Sequence, residues 1–253
     1  MRTVCLEGCV MEEQFSRTEL LVGDRAMNRL AQSRVAVFGM GGVGGYVVEA
    51  LVRSGIGAID LIDHDQVSLS NLNRQIIATR DSVGRDKVEV MQERIHSINP
   101  DCTVRAHQCF YLPETRDEFD FTEYSYVVDA IDTVTGKIQL ILQAQETGIP
   151  IISSMGTGNK LNPAEFQVAD IYETSVCPLA KVMRKELRKR GVTQLKVVYS
   201  REQPVTFRKL GDMEQPDTSV GRRKPVPGSV SFVPPVTGFI LASEVVKDLI
   251  ADV

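Results

Sequence analysis

Arg34-Val-Ala-Val-Phe38, running directly into Gly39-Met-Gly-Gly-Val-Gly-Gly45, decides the fold. The first five residues are a short apolar run with β-branched members and turn signals on both sides, the pattern of a buried strand. Gly39, Gly41 and Gly44 then match G-x-G-x-x-G, and a helix is predicted from about Val43 to Arg53, closed by Gly55 and Gly57. Glycine allows the tight turn and lets backbone N–H groups, Gly42 included, approach a phosphate. The helix N-terminus adds partial positive charge. A second strand, Ala58-Ile-Asp-Leu-Ile62, ends at Asp63, 19 residues past Gly44, where an acid accepts hydrogen bonds from a ribose. Strand, loop, helix and acid together point to a nucleotide without saying which.

Outward from this unit the pattern repeats. A helix is predicted over about Gly84 to Ile98 and a third strand from Val104. A fourth strand, Tyr126-Val-Val-Asp-Ala130, precedes a helix over about Thr133 to Glu146, and a fifth strand covers Ile149 to Ser153. Alternating strands and helices predict a doubly wound α/β fold, Rossmann-like, with a mostly parallel sheet covered on both faces. Upstream, one helical pattern runs from Ser16 or Thr18 to about Leu30. Downstream, 155–230 reads as a more irregular extension: a strand over Phe166 to Ile171, a basic helix from Leu179 to Arg190, a strand over Lys196 to Tyr199, and a flexible loop at 211–228. Val236 to Ile250 closes as an amphipathic helix. Residues 1–14 show no periodicity and read as a mobile extension. Met11 is an alternative start, so 15–253 is expected to be a single domain.

Composition sets limits. The 253 residues are 43% apolar and 25% charged with a net charge of −4, which excludes disordered and constitutively basic classes. No run of apolar residues is long enough for a membrane helix, and a glutamate stands where a signal peptide needs an apolar core. The five cysteines form no C-x-x-C pair, so a four-cysteine zinc site is not expected, and free thiols fit a cytoplasmic protein.

Three features favour a triphosphate over a dinucleotide. Asp63-His-Asp65 is followed by Ser68-Leu-Ser-Asn-Leu-Asn-Arg-Gln75, in which Arg74 offers a planar fork of donors and Asn71, Asn73 and Gln75 offer neutral hydrogen bonds. Lys87 falls in the first turn of the next helix, although a lone lysine there also fits a solvated surface. Asp132 lies at the carboxyl end of the fourth strand, the rim where open α/β sheets bind ligands. It is placed either to hold Mg²⁺ against phosphates or to cap the following helix. Asp65 joins Asp63 as a candidate for the nucleotide site. None of the three histidines is a convincing general base.

As a set, Gly39-Met-Gly-Gly-Val-Gly44, Asp63-His-Asp65, Asn71-Leu-Asn-Arg-Gln75, Lys87 and Asp129-Ala-Ile-Asp132 resemble the ubiquitin-activating-enzyme-like superfamily, in which ATP adenylates a carboxylate. Within it the chain is most similar to the bacterial tRNA threonylcarbamoyladenosine dehydratases, on Gln14-Phe-Ser-Arg-Thr-Glu-Leu-Leu-Val-Gly23, Arg53-Ser-Gly-Ile-Gly-Ala-Ile-Asp60 and Gly228-Ser-Val-Ser-Phe-Val-Pro-Pro235. The resemblance covers about residues 15–250. It implies ATP with Mg²⁺, catalysis by Arg17, Arg74, Lys87 and Asp132, a tRNA substrate, and a homodimer in which Arg17 reaches the partner's site. The implied reaction is attack of a carboxylate on the α-phosphorus of ATP, then intramolecular ring closure with release of AMP. The nearest alternative is activation of a ubiquitin-like sulfur carrier, with sulfur-relay proteins as partners and Cys177 as the thiol. Members of the dehydratase family usually carry an acidic or polar residue where Cys177 stands, so the chain departs from the resemblance there. A non-catalytic scaffold and a hydride-transferring dehydrogenase are further alternatives.

Charge is uneven along the chain. Residues 181–224 hold 13 Lys/Arg and 5 Asp/Glu, a net of +8 that leaves −12 for the rest. Lys181, Arg184, Lys185, Arg188, Lys189 and Arg190 crowd one predicted helix, and Arg222, Arg223 and Lys224 sit in the loop. A basic stripe on an acidic protein suits a phosphate backbone, so these nine residues are the expected tRNA surface.

Overall fold

The computed structural model describes residues 2–4, 10–205 and 227–253. Two short strands, β1 (Arg2–Val4) and β2 (Val10–Glu12), pair antiparallel near the N-terminus. After them come α1 (Ser16–Val22), α2 (Asp24–Gln32), β3 (Arg34–Phe38), α3 (Gly44–Arg53), β4 (Ala58–Ile62), α4 (Lys87–Ile98) and β5 (Thr103–His107). The chain continues through β6 (Tyr126–Asp129), α5 (Val134–Thr147), β7 (Ile151–Ser154), β8 (Phe166–Asp170), α6 (Pro178–Lys189), β9 (Lys196–Ser200) and α7 (Val233–Leu249).

The main sheet has the order β5-β4-β3-β6-β7-β9-β8. All its pairings are parallel except that of the edge strand β8 with β9. The doubly wound fold expected from the sequence is therefore present. The order of strands reverses between β3 and β6, a switch point that opens a crevice at the carboxyl ends of these parallel strands.

β3 shows why the sheet is central. Its side chains alternate, so Val35 and Val37 enter a core with α2, α3, α4 and α7, while Ala36 and Phe38 enter a second core with Tyr111, Phe119, Phe121 and Leu140. Both faces are dry, and these four β3 side chains are fully buried. A third core joins α5 and α6 to β9. Three layers result, with α3 and α7 against one face and α5 and α6 against the other.

The single helix expected from Ser16 to Leu30 is two helices. Gly23, at φ +82°, breaks it between α1 and α2, a conformation that a residue with a Cβ adopts only with strain. Of the basic loop expected at 211–228, only residues 227 and 228 are described. Arg222, Arg223 and Lys224 lie outside the described residues. Among the described residues, no helix is long and apolar enough to cross a membrane.

Candidate active site

A cavity of about 370 Å³ opens at the switch point. Gly39, Gly41, Gly42, Asp63, Asp65, Asn71, Arg74, Gln75, Lys87 and Asp132 all line it, so nearly the whole expected nucleotide set converges. Gly44 does not line it and serves the turn instead. A Cβ there would stand 1.7 Å from the Gly39 carbonyl oxygen. Gly39 itself has φ +95°, and a Cβ on it would come within 2.7 Å of the Ala130 carbonyl oxygen. These two glycines let the loop fold tightly against β6. At Gly41 the nearest atom to a Cβ is Gln75 Nε2 at 3.9 Å, so that position stays open for a ligand. Among the described residues, the backbone N–H groups of Gly41, Gly42 and Val43 meet no acceptor. They stand where α3 begins, which favours negative charge.

Asp63 is largely buried at the end of β4. Its Oδ2 accepts from the Met40 N–H at 2.6 Å and its Oδ1 from the Asp65 N–H at 2.8 Å, which braces the glycine loop. Lys87, at the first position of α4, is not a solvated lysine. Its side chain is 5% exposed, with Nζ 2.6 Å from Asp65 and 3.9 Å from Asp63. A cation that buried, balanced by two carboxylates at the cavity wall, sits ready to answer an anionic ligand. Gln75 is buried, and its Oε1 has no hydrogen-bond partner. An orphaned polar atom in a cavity lining fits a ligand that completes it.

The amides divide into different roles. Asn71 Oδ1 accepts from the Ser68 N–H at 3.0 Å in a reciprocal capping arrangement, so that oxygen holds its own loop together. Asn73 Nδ2 donates to the Ser229 carbonyl at 3.0 Å, and its Oδ1 accepts from Arg74 at 2.8 Å. Arg74 also donates to the Ser70 carbonyl at 2.9 Å. Its guanidinium is thus parked on exchangeable acceptors of its own loop.

Asp132 is exposed and lines the same cavity. Among the described residues it has no hydrogen-bond or ion-pair partner. It does not cap α5, whose N-cap is Thr133. A free carboxylate in the cavity lining fits a hard divalent cation, and so does the Asp63-His64-Asp65 cluster that lines the same cavity. The adjacent Asp129 is wholly buried and accepts Lys137 Nζ at 3.0 Å on both oxygens. It also accepts the Ile131 N–H at 3.3 Å, which shapes the turn that carries Asp132. Lys137 gave no signal in the sequence, since a lysine inside a helical run reads as a solvated face.

The remaining wall is aromatic and sulfur-bearing. Phe110 lies edge-on to His64 at 4.2 Å between ring centres, and Cys109 and Tyr111 flank it. Burial, and then the Glu118 carboxylate, push the Cys109 thiol up. Burial lifts Cys102 to about 11. Both stay protonated at neutral pH and are poor nucleophiles. Cys177 is 1% exposed, packed under Gly156 in the core of α6.

Arg17 lies on exposed α1 and is not among the residues around this chain's own cavity. On α6, Lys181, Lys185 and Arg188 are exposed, with Arg188 5.1 Å over the Tyr172 ring. Arg184 instead turns in to donate to the Thr174 carbonyl at 2.9 Å, and Lys189 and Arg190 pair with Glu186 at 2.8 and 2.9 Å.

A switch-point crevice that gathers a glycine loop, an acid at the end of β4, Arg74 and Lys87 has the make-up of a nucleotide-binding protein of the adenylating kind. The chain belongs to the ThiF family, whose model matches residues 15–252. It is 43% identical over 246 residues to the tRNA threonylcarbamoyladenosine dehydratase of Bacillus subtilis, covering 96% of this chain and 97% of that one. Among solved structures it is similar to the Escherichia coli tRNA N6-threonylcarbamoyladenosine dehydratase in complex with ATP, at TM-score 0.84 and 35% identity, covering 96% of this chain and 98% of that one. The same enzyme in complex with AMP matches at TM-score 0.85 with the same identity and coverage.

Proposed function

We infer that this chain is an ATP-dependent enzyme that adenylates and cyclises N6-threonylcarbamoyladenosine in tRNA with net loss of water. One observation carries the reading: the cavity gathers the glycine loop, Asp63, Arg74, Lys87 and Asp132 in a chain similar over almost its full length to dehydratases of that name.

The chemistry asks little of a general base. The substrate carboxylate is ionised at neutral pH. Its oxygen bonds to the α-phosphorus of ATP while the bond to the β-phosphate bridging oxygen breaks, and pyrophosphate leaves. The carbamoyl group then attacks the activated carboxyl carbon, the bond from that carbon to the AMP oxygen breaks, AMP departs, and the carbamoyl group gives up one N–H proton to solvent. The second step is intramolecular, so proximity supplies much of its rate. The barrier in the first step is electrostatic, because two anions meet. The N–H groups of the glycine loop bind phosphate, Arg74 leaves its parking acceptors to bridge phosphate oxygens, and Lys87 offsets part of the negative charge. Asp132 would hold Mg²⁺, with Asp63 and Asp65 in the lining of the same cavity. When bound, that ion supplies neutralising charge on the phosphates.

Arg17 is assigned to a partner copy's site. What supports this is its exposed place on α1 beside Leu20 and Leu21, each 87% exposed, an apolar pair that a second copy would cover. The tRNA is assigned to the face of α6. That helix starts at Pro178, beneath the loop of Gly156 to Gly158 at the cavity rim, and its 12 residues run about 18 Å from there. Lys181 and Lys185 stand one turn apart along it.

Two measurements test these assignments. Incubation with ATP, Mg²⁺ and threonylcarbamoylated tRNA, followed by mass spectrometry of the nucleosides, should show ATP-dependent loss of one water from the modified adenosine. An unchanged nucleoside from protein that binds ATP would overturn the reading. Replacing Lys181, Lys185 and Arg188 by alanine should weaken tRNA binding and flatten the slope of log affinity against log salt by about two to three. Replacing the ion-paired Lys189 and Arg190 should change the slope less. An unaltered slope in the triple variant would remove α6 from the RNA surface.

A further inference from the structure

Part of the cavity lining comes from two segments far apart in sequence. Thr157 and Gly158 follow β7, and Pro227, Gly228 and Ser229 return toward α7. They touch closely: a Cβ on Gly158 would lie 2.7 Å from Pro227 Cβ. The chain leaving β9 is tied to residues 160–165 by several bonds, among them Lys160 Nζ to the Glu202 carbonyl at 2.8 Å and the N–H groups of Leu161 and Asn162 to the Glu202 carboxylate at 2.8 and 2.9 Å. The returning arm has far less. Among the described residues, the polar ties of 227–229 go to two asparagines alone.

Asn159 supplies most of them. Its N–H donates to the Gly228 carbonyl at 2.8 Å and its carbonyl accepts from the Val205 N–H at 2.7 Å. Its Oδ1 accepts from the Gly228 N–H at 2.7 Å. One residue therefore pins both the departing and the returning chain. It does so at φ +59°, a left-handed conformation that asparagine tolerates better than most residues. Asn73 supplies the other tie, to Ser229, and links it to Arg74. Thr157 and Ser229, which line the cavity, carry hydroxyls with no hydrogen-bond partner among the described residues. Free hydroxyls and a glycine-walled stretch in the same cavity as the glycine loop suit a small polar arm bearing a carboxylate, a hydroxyl and a carbamoyl group.

We propose that Thr157, Gly158, Gly228 and Ser229 form the subsite for the carboxylate-bearing arm of the acceptor, and that Asn159 is the positioning residue that holds this wall in place. The assignment rests on the functional reading above. Asn159 acts through Gly228 and not on the nucleotide, so its loss should misplace the acceptor while ATP binds as before.

The test compares the full chain with Asn159→Gly and Asn159→Asp. Glycine keeps the left-handed backbone and its two main-chain bonds but removes the Oδ1 acceptor. Aspartate keeps that acceptor. In Asn159→Gly the KM for threonylcarbamoylated tRNA should rise, or kcat fall, by about tenfold, with the Kd for ATP within about twofold of wild type by calorimetry and the melting temperature nearly unchanged. Asn159→Asp should recover part of the loss, because its acceptor returns while its charge repels the carboxylate of the arm. Asn73→Ala, which cuts the other tie, should raise the KM for tRNA as well, so the proposal stays testable if the glycine variant folds poorly. Unchanged tRNA kinetics in Asn159→Gly and Asn73→Ala, or a parallel loss of ATP affinity in Asn159→Gly, would overturn the subsite while leaving the functional reading intact. A wild-type chain that removes no water from the nucleoside would overturn both.

Discussion

Asp132→Ala and Arg74→Ala should each cut ATP-dependent pyrophosphate release, measured with threonylcarbamoylated tRNA, by about a hundredfold to a thousandfold. Neither should unfold the protein. Asp132 is exposed on the rim with no described partner, so its truncation exposes no buried charge. Arg74 donates only to Ser70 and Asn73 on its own loop, contacts that water can replace. Such surface changes stay within about 0.5 to 1 kcal/mol, or a few degrees in Tm for a chain of this size. The catalytic loss should be larger, because on this assignment each group acts on charge that develops only as the carboxylate meets the α-phosphate. Lys87 is a less clean probe. Its Nζ stands 2.6 Å from Asp65 and 3.9 Å from Asp63, so removing it would leave two carboxylates at one wall and mix stability with catalysis. Full activity in both Asp132→Ala and Arg74→Ala would sink the site assignment.

The parts of this site legible in the sequence are those set by local backbone requirements. The loop after β3 must turn sharply against β6, and only glycine fits at Gly39 and Gly44, so the motif announces itself. Asp63 follows from the end of an apolar strand, and Asp132 from the end of another. What the sequence left open depends on neighbours brought in from afar. Lys87 read equally well as a surface lysine until the Asp63 and Asp65 carboxylates were placed beside it. Asn73 looked like a phosphate donor, but its amide is taken by the Ser229 carbonyl, 156 residues away. The six basic residues on α6 looked equivalent in a one-dimensional charge tally. The fold turns Arg184 inward and gives Lys189 and Arg190 to Glu186, which leaves Lys181, Lys185 and Arg188 for a partner. Cys177 carried a chemical alternative only as long as its depth was unknown. At 1% exposure, within the α6 core, it has no approach to a carrier tail.

Lys137→Met should destabilise the protein more than any rim substitution. Lys137 is 1% and Asp129 0% exposed, and Nζ sits 3.0 Å from both carboxylate oxygens. Nζ also donates to the Ser154 carbonyl at 2.8 Å, and Asp129 accepts the Ser153 hydroxyl as well. Methionine fills similar space but leaves the carboxylate charged and unpaired where water cannot reach it. Breaking a buried pair in this way costs about 3–5 kcal/mol, against a total stability on the order of 5–15 kcal/mol. The melting temperature should fall by roughly 6–20 °C. The double variant Lys137→Met/Asp129→Asn removes the stranded charge and keeps an oxygen for the Ile131 N–H, so it should recover much of that loss. The same oxygen orients the turn that carries Asp132, so ATP affinity in the double variant reports whether that turn still stands, separately from stability. A fall in Tm of less than about 2 °C for Lys137→Met would mean that water or a neighbouring donor reaches Asp129 after all. The buried pair would then not be what anchors the Asp132 rim to the sheet.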